Sequence, residues 1–297
     1  MNMRPNVRRI GFGHWTFGIG DGLKFDICNL GFLIGLASLL LVTLLCTGCQ
    51  RPKGGMTVAG STSVEPFAEL LAEEYMHLHP DSHVYVQGGG STAGILAART
   101  GAASIGMASR SLLSSEEDLH AATIARDAIA VIVHPTNPAS SLSLVQANRI
   151  FSGQIKTWKE VGGPSRPIVI VTREEGSGTR EAFQKFVMKK EEISLGSLVQ
   201  DSNGAIRQVV SSDPNAIGYI SLGLVNDKVK ALKIDGVAPN LATVENRTYT
   251  LVRPFLFVFV GNPEGKAKAF LEFVLSPEAQ NLLQKEGLVP VLRRSAQ

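Results

Sequence analysis

Three loops of this sequence combine glycine, serine and threonine in a way that suits the binding of a small anion. Each follows a short apolar run and precedes a segment with helical spacing; they are Gly60-Ser61-Thr62-Ser63, Gly88-Gly89-Gly90-Ser91-Thr92-Ala93-Gly94 and Gly176-Ser177-Gly178-Thr179. Hydroxyl groups and unpaired backbone N–H groups at the positive end of a helix favour a negative charge. One such loop is usually an ordinary helix cap, whereas three in one chain indicate a shared anion site.

An arginine accompanies the third loop. Arg173 ends the apolar run in RPIVIVTREEGSGTREAF, shortly before Gly176. A planar guanidinium presents paired N–H donors that match a tetrahedral oxyanion. A lone arginine at the end of a strand is more often a surface residue, but the adjoining GSGT sequence favours a binding role.

The sequence gives little support for a catalytic role of the serines in these loops. Ser91 and Ser177 follow apolar runs, as a hydrolase nucleophile does, but neither lies in a G-x-S-x-G pentapeptide and no motif ties a histidine to either. No glycine cluster is followed by the G-K-[ST] of an ATP-binding loop. The three histidines of MHLHPDSH could suggest a metal site, but they lie at the predicted end of a helix and in the following turn, where exposed polar residues are expected. We therefore predict no enzyme activity, no cofactor and no metal.

The composition and charge of the chain argue against nucleic acid as a partner. The chain has 297 residues, of which 44% are hydrophobic, and its formal net charge is +3. Part of that charge lies in residues 1–48, so the remainder is close to neutral. A nearly neutral body lacks the broad basic face that binds nucleic acid by counterion release, and nucleic-acid binding is not expected.

The N-terminus has the pattern of an export signal. The run LGFLIGLASLLLVTLLC, from Leu30 to Cys46, carries no charge and follows a segment with net positive charge. Thr47 and Gly48 before Cys49 resemble a bacterial lipobox, in which the cysteine is lipidated. We predict a signal peptide over 1–48, lipid attachment at Cys49 and a tether over 49–55. The alternative is an uncleaved membrane anchor, and either places the body outside the cytoplasm.

Beyond the tether the sequence predicts an α/β fold. Apolar runs of four to eight residues alternate with helical patterns, which indicates buried and mainly parallel strands. HPTNP and TLVRPF mark two extended segments that could cross between two lobes. We predict lobe 1 over 56–134 and 251–297, and lobe 2 over 135–250.

The body resembles the phosphate-specific substrate-binding proteins of bacterial ABC importers, which are periplasmic binding proteins. The resemblance covers about 56–291 and rests on AGSTSVEPF, QGGGSTAGI, SIGMASR, TREEGSGTREAF, NAIGYISLG and RPFLFVFV, in that order. It implies a two-lobed periplasmic-binding-protein fold of type II, with two crossing strands as the hinge.

The resemblance also implies the ligand and its contacts. Inorganic phosphate is expected in the cleft, held by Thr62, Ser63 and Ser91 from one lobe and by Arg173, Ser177, Gly178 and Thr179 from the other. The expected partners are ABC permease subunits with a separate ATPase, and the chain itself is expected to be a monomer in the periplasm or at the cell surface. Sulfate, molybdate or a role as a phosphate sensor are the alternatives.

One position departs from the family pattern. Where well-known members carry an aspartate that accepts the phosphate proton and helps to reject sulfate, this chain has Arg110 in SIGMASRS. We expect Arg110 either to bind the anion directly or to pair with Glu175 or Glu65, one of which would then accept the proton.

Overall fold

The computed structural model describes residues 54–291, and within them it contains twelve strands and eight α-helices. The strands are β1 (Met56–Gly60), β2 (Val84–Gly88), β3 (Ile105–Ala108), β4 (His120–Val133), β5 (Ser141–Leu142), β6 (Val169–Arg173), β7 (Leu198–Gln200), β8 (Ala216–Ser221), β9 (Lys230–Ala231), β10 (Lys233–Ile234), β11 (Val252–Phe259) and β12 (Val289–Pro290). The helices are α1 (Glu65–Leu78), α2 (Ser91–Arg99), α3 (Leu144–Phe151), α4 (Gly178–Phe183), α5 (Asn203–Ser212), α6 (Leu241–Glu245), α7 (Gly265–Val274) and α8 (Pro277–Lys285). The predicted α/β fold is confirmed.

The main sheet is mixed in direction. Its strand order is β2-β1-β3-β11-β4-β8-β6-β7, with β9 and β12 also paired to β4. Pairing is parallel toward both edges and antiparallel around β11 and β4 in the centre. The expectation of mainly parallel strands is therefore wrong for the centre, because a continuous apolar run reports burial on both faces and carries no information about strand direction.

Strand β4 connects two groups of buried side chains. Ile124 and Ala125 pack with β1, β3, α1 and the final helices in one apolar cluster. Ala128, Ile129, Val131 and Val133 pack with α3, α4 and β8 in another. The second cluster thus begins inside β4, several residues before the HPTNP segment. The lobe boundaries at 134/135 and 250/251 stay predictions.

Each of the three glycine-rich loops leads into a helix, as predicted. Helix α1 begins at Glu65, α2 at Ser91 and α4 at Gly178. The apolar stripe expected at the start of α1 and along it is present. Its buried members are Val64, Phe67, Leu71 and Tyr75, and Leu70 is half-buried. Burial of this stripe fixes α1 on the sheet and so sets the position of the loop before it.

Cys49 and the predicted signal peptide lie outside the described residues. Within residues 54–291, no helix is both long and apolar enough to cross a membrane.

Candidate functional site

Arg173 lies buried at the end of β6, and its guanidinium is only partly satisfied. Its Nε and Nη2 donate to the two carboxylate oxygens of Glu174 at 2.9 and 2.8 Å. Nη2 also donates to Thr62 Oγ1 and to the carbonyl of Asp201, each at 3.0 Å. Nη1 has no hydrogen-bond partner among residues 54–291 although it is buried. An unsatisfied buried donor on a cation is costly, so this nitrogen is suited to an anionic ligand.

The first and third loops meet at two hydroxyl groups. Ser63 Oγ lies 2.8 Å from Thr179 Oγ1, and both residues are buried. The amide nitrogen of Asn203, at the start of α5, donates to Ser63 Oγ at 2.9 Å. Residues more than a hundred positions apart in the sequence therefore converge on one polar point, as the anion-site prediction requires.

The second loop reaches the third at Gly178. Ser91 Oγ accepts a hydrogen bond from the backbone N–H of Ser109 at 3.1 Å. A Cβ atom placed on Gly178 would lie 2.7 Å from Ser109 Oγ and closer still to Ser91 Oγ. Such distances are far inside van der Waals contact, so only glycine fits at position 178 in this conformation.

Ser177 caps the helix that carries Gly178. Its hydroxyl oxygen accepts from the backbone N–H of Arg180 at 3.3 Å, which satisfies one of the free donors at the start of α4. The Ser177 hydroxyl group can still donate its own proton to a ligand. The predicted residues Thr62, Ser63, Ser91, Arg173, Ser177, Gly178 and Thr179 are thus brought together in one place.

Arg110 is paired in a different way from the one expected. Its Nη1 and Nη2 donate to the two carboxylate oxygens of Glu116 at 2.7 and 2.9 Å, and its Nε lies 2.6 Å from Glu181 Oε2. Pairing with Glu175 or Glu65 is therefore wrong: Glu175 is exposed, and the Glu65 carboxylate stands over Gly88. The sequence could not reveal this, because the path of the chain after β3 brings Glu116 to Arg110 and the packing of α4 brings Glu181 there.

These contacts fix the charge on Arg110. Burial would lower its pKa, but the hydrogen bonds that it donates to Glu116 and the negative charges of Glu181 and Glu116 raise the pKa above its ordinary value. Its Nη1 and Nη2 are occupied by Glu116, whereas Nε is close to Glu181 as an ion pair but makes no aligned hydrogen bond within residues 54–291. The structure therefore gives no support to Arg110 as a direct ligand. Its contact with Glu181 joins the loop after β3 to α4.

Two charged residues that the sequence analysis did not select lie at the same place. Arg253 on β11 donates from Nη1 to Thr179 Oγ1 at 2.8 Å and from Nη2 to Ser63 Oγ at 3.2 Å. Its partner is Asp127 on β4, at 2.9 Å. Both interrupt apolar strand patterns, in ARDAIAVIV and TLVRPFLFVFV. A charge inside a buried strand was the signal that could have found them.

The arrangement can bind a small oxyanion. Thr62 of the first loop contacts the Arg173 guanidinium, and hydroxyl groups of the three loops lie in the same cluster of contacts. Burial strengthens hydrogen bonds to charge because little water competes. Asn203, at the start of α5, is also part of this cluster through its contact with Ser63.

Comparison with known proteins identifies related chains. A family model described as the PBP superfamily domain matches residues 48–278. The phosphate-binding protein PstS of Bacillus subtilis is 32% identical over 251 residues, which cover 82% of this chain and 83% of that protein. The protein of the same name from Borreliella burgdorferi is 25% identical and covers 85% of this chain and 96% of its own length.

Solved structures give the same result. The chain is similar to a protein of Clostridium perfringens that was solved with bound phosphate and is ascribed to a phosphate ABC transporter as its substrate-binding protein. It is 43% identical, has a TM-score of 0.78, and covers 80% of this chain and 100% of its own. An ABC-type phosphate transport receptor of Vibrio cholerae is 38% identical, with a TM-score of 0.67, over 80% of this chain and 100% of its own.

Proposed function

Because the chain belongs to the PBP superfamily, and within it to the family of PstS-type phosphate-binding proteins, we propose that it binds inorganic phosphate outside the cytoplasm and delivers it to an ABC importer. The relatives support this proposal, because one is named a phosphate-binding protein and another an ABC-type phosphate transport receptor. The role proposed for this chain is binding, not catalysis.

The observation that carries the proposal is the free nitrogen of Arg173. Arg173 is 1% exposed, and its Nη1 lacks a protein partner within residues 54–291. The other nitrogens are held by Glu174, Thr62 and Asp201, so the side chain is fixed before a ligand arrives. Fixed donors in a water-poor site bind an anion without the cost of ordering a mobile side chain.

The proposed ligand shell is the set predicted from the sequence without Arg110. Thr62, Ser63 and Ser91 would contribute from one lobe, and Arg173, Ser177, Gly178 and Thr179 from the other. Each hydrogen bond to a charged group is worth roughly 1.5–3 kcal/mol, and micromolar binding requires about 8 kcal/mol. Four to six such contacts suffice after the cost of association and lobe closure is subtracted.

The strands β4 and β11 are proposed as the two crossings between the lobes. They pair directly, with Arg253 opposite Asp127. The next residue of β4, Ala128, is where the second apolar cluster begins. A ligand between the lobes would then rest above these strands, and small changes in their twist would open and close the site.

Tethering and transport complete the proposal. Lipidation of Cys49 would hold the protein at a membrane surface as a monomer, with permease subunits and a separate ATPase as its partners. Mass spectrometry of the N-terminal peptide distinguishes the two forms of attachment: a diacylglycerol on Cys49 supports the lipoprotein, whereas an intact N-terminus with residues 1–48 supports the uncleaved anchor.

Equilibrium dialysis of the full chain in detergent, with radiolabelled phosphate, tests the binding proposal. We expect saturable binding at micromolar concentration that excess unlabelled phosphate displaces and excess sulfate or molybdate does not. Displacement by sulfate or molybdate instead would keep the fold and change the ligand. Phosphate uptake by cells that lack this chain separates transport from sensing, since a sensor would leave the uptake rate unchanged.

A further inference from the structure

An ion pair at the edge of the candidate site joins two parts of the fold that have separate cores. Arg110 follows β3, which packs in the same apolar cluster as α1. Glu181 lies on α4, which packs in the other large cluster. Arg110 Nε is 2.6 Å from Glu181 Oε2. The pair therefore exists only while these two parts of the fold are in contact.

Glu116 orients Arg110 from its own side of this contact. Arg110 Nη1 and Nη2 donate to the two carboxylate oxygens of Glu116 at 2.7 and 2.9 Å. Glu116 is fixed in turn by the backbone N–H of Leu113 at 2.8 Å. All three residues lie in the segment between β3 and β4. Arg110 is thus held in place without Glu181, and its Nε is left for a partner from α4.

A second group of contacts closes the same gap. The backbone N–H of Thr92 donates to the carbonyl of Gly176 at 3.1 Å, which joins the second and third glycine-rich loops. Thr92 Oγ1 donates to Glu181 Oε1 and accepts from Arg110 Nη2, both at 3.4 Å. The Glu181 side chain is 31% exposed. The ion pair therefore lies on the solvent side of the contact between the two loops, beside the proposed ligand shell.

Glu181 moves with the ligand groups of the third loop. Its backbone N–H donates to the carbonyl of Ser177 at 2.9 Å, and it lies within one turn of Gly178 and Thr179 on α4. A displacement of α4 that frees a ligand therefore carries the Glu181 carboxylate away from Arg110. Arg110 then keeps Glu116 as its partner, and the cost of opening is one partly buried contact between charges.

We propose that Glu181 is a positioning residue that acts through Arg110 to hold the second and third loops together, and that it thereby slows the release of bound phosphate. This inference rests on the proposed function. Glu181 has no contact with the ligand in this proposal. The ion pair forms only after the loops meet, so its effect falls on the dissociation rate and leaves the rate of capture almost unchanged.

Long-range electrostatics alone would give Glu181 the opposite effect. Its negative charge lies on the same short helix as Thr179, and like charges repel. If this repulsion dominated, removing the charge would strengthen the binding of phosphate. Arg110 lies 2.6 Å from the carboxylate and offsets its charge, so we expect the contact to dominate. The sign of the change therefore separates the two effects.

The full-length variants Glu181→Gln and Glu181→Lys test the proposal. Glutamine keeps the size of the side chain without its charge, and lysine sets a second cation beside Arg110. Rapid-mixing experiments with radiolabelled phosphate, stopped by filtration, give the association and dissociation rate constants. We expect release about threefold faster or more for Glu181→Gln and faster still for Glu181→Lys, with association within about twofold of wild type. A partly exposed ion pair has an effect of this size.

Asp118→Asn is the matched control. It breaks the ion pair between Arg99 and Asp118, which also has a distance of 2.6 Å. Arg99 ends α2 and Asp118 precedes β4, and the residues beside them pack in one apolar cluster, so separation of the loops does not break this pair. Release of phosphate from Asp118→Asn should match wild type.

The outcomes that contradict the proposal are distinct. Release from Glu181→Gln that is less than threefold faster than wild type, or slower, would refute the role of Glu181 while phosphate binding stands. Slower release from Glu181→Lys would show that attraction of the anion dominates. The unfolding temperature of ligand-free Glu181→Gln should stay within about 2 °C of wild type, and a larger fall would assign Glu181 to the stability of the fold instead. A wild-type protein that binds no phosphate would overturn the proposed function itself.

Discussion

Gly178→Ala should weaken phosphate binding without unfolding the protein. The added Cβ would lie 2.7 Å from Ser109 Oγ, closer to Ser91 Oγ, and 3.0 Å from Ser91 Cβ. Rotation of the Ser91 hydroxyl cannot remove the last contact, and it would also withdraw a proposed ligand. The clash exists only while the second and third loops are in contact.

The expected magnitude follows from the cost of overpacking. An extra methyl group in a tightly packed place costs about 1–3 kcal/mol, which corresponds to about a 5- to 150-fold loss of affinity. If the loops separate when the ligand leaves, the ligand-free protein escapes this cost and its unfolding temperature should stay within about 2 °C of wild type. The backbone at Gly178 is not in the left-handed region, so alanine adds no torsional strain.

Calorimetric titration with phosphate measures the affinity, and thermal unfolding of the ligand-free protein measures the stability. Gly196→Ala is the matched control, because a Cβ there would meet only Ser194 Oγ at 3.8 Å. An affinity of Gly178→Ala within twofold of wild type would refute the close approach of the two loops in the bound state.

Three further predictions concern single side chains. Arg173→Ala should weaken phosphate binding at least thirtyfold in dialysis, since loss of one partner of a buried charged contact costs roughly 2–5 kcal/mol; a change below threefold would remove Arg173 from the site. Burial alone would raise the pKa of Glu116, but the hydrogen bonds that it accepts from Arg110 hold this pKa below its usual 4.5. The ionised Glu116 therefore stabilises the folded protein fully above pH 4.5, and this contribution is lost as the pH falls through the lowered pKa. Glu116→Gln should therefore flatten the fall in free energy of unfolding on the acid side, as followed by denaturant titration, and an unchanged acid slope would contradict the pairing. Glu175→Gln should leave the phosphate-to-sulfate affinity ratio within twofold, because this side chain is exposed; a loss of selectivity would restore Glu175 as the discriminating residue.

Local features of the site were predictable because short segments encode them. Each glycine-rich loop follows a strand and opens a helix, and Ser177 is of the residue type that caps a helix start. Arg173 stands a few residues from its loop. Such signals need no knowledge of the rest of the chain, so the sequence identified seven residues that the fold brings together.

Long-range features were not predictable in the same way. Asp127 and Arg253 are 126 positions apart, and only the pairing of β4 with β11 joins them. The partners of Arg110 are set by the path of the loop after β3 and by the approach of α4. Strand direction in the centre of the sheet depends on the same pairings. Each of these requires the tertiary contacts that a residue pattern leaves unspecified.

The most direct test of the central claim is a calorimetric titration of the full chain, freed of bound anion, with phosphate and then with sulfate at neutral pH. The account predicts micromolar or tighter binding of phosphate with a stoichiometry of one, and no detectable heat with sulfate. Binding of sulfate with equal affinity, or heat with neither anion, would contradict it.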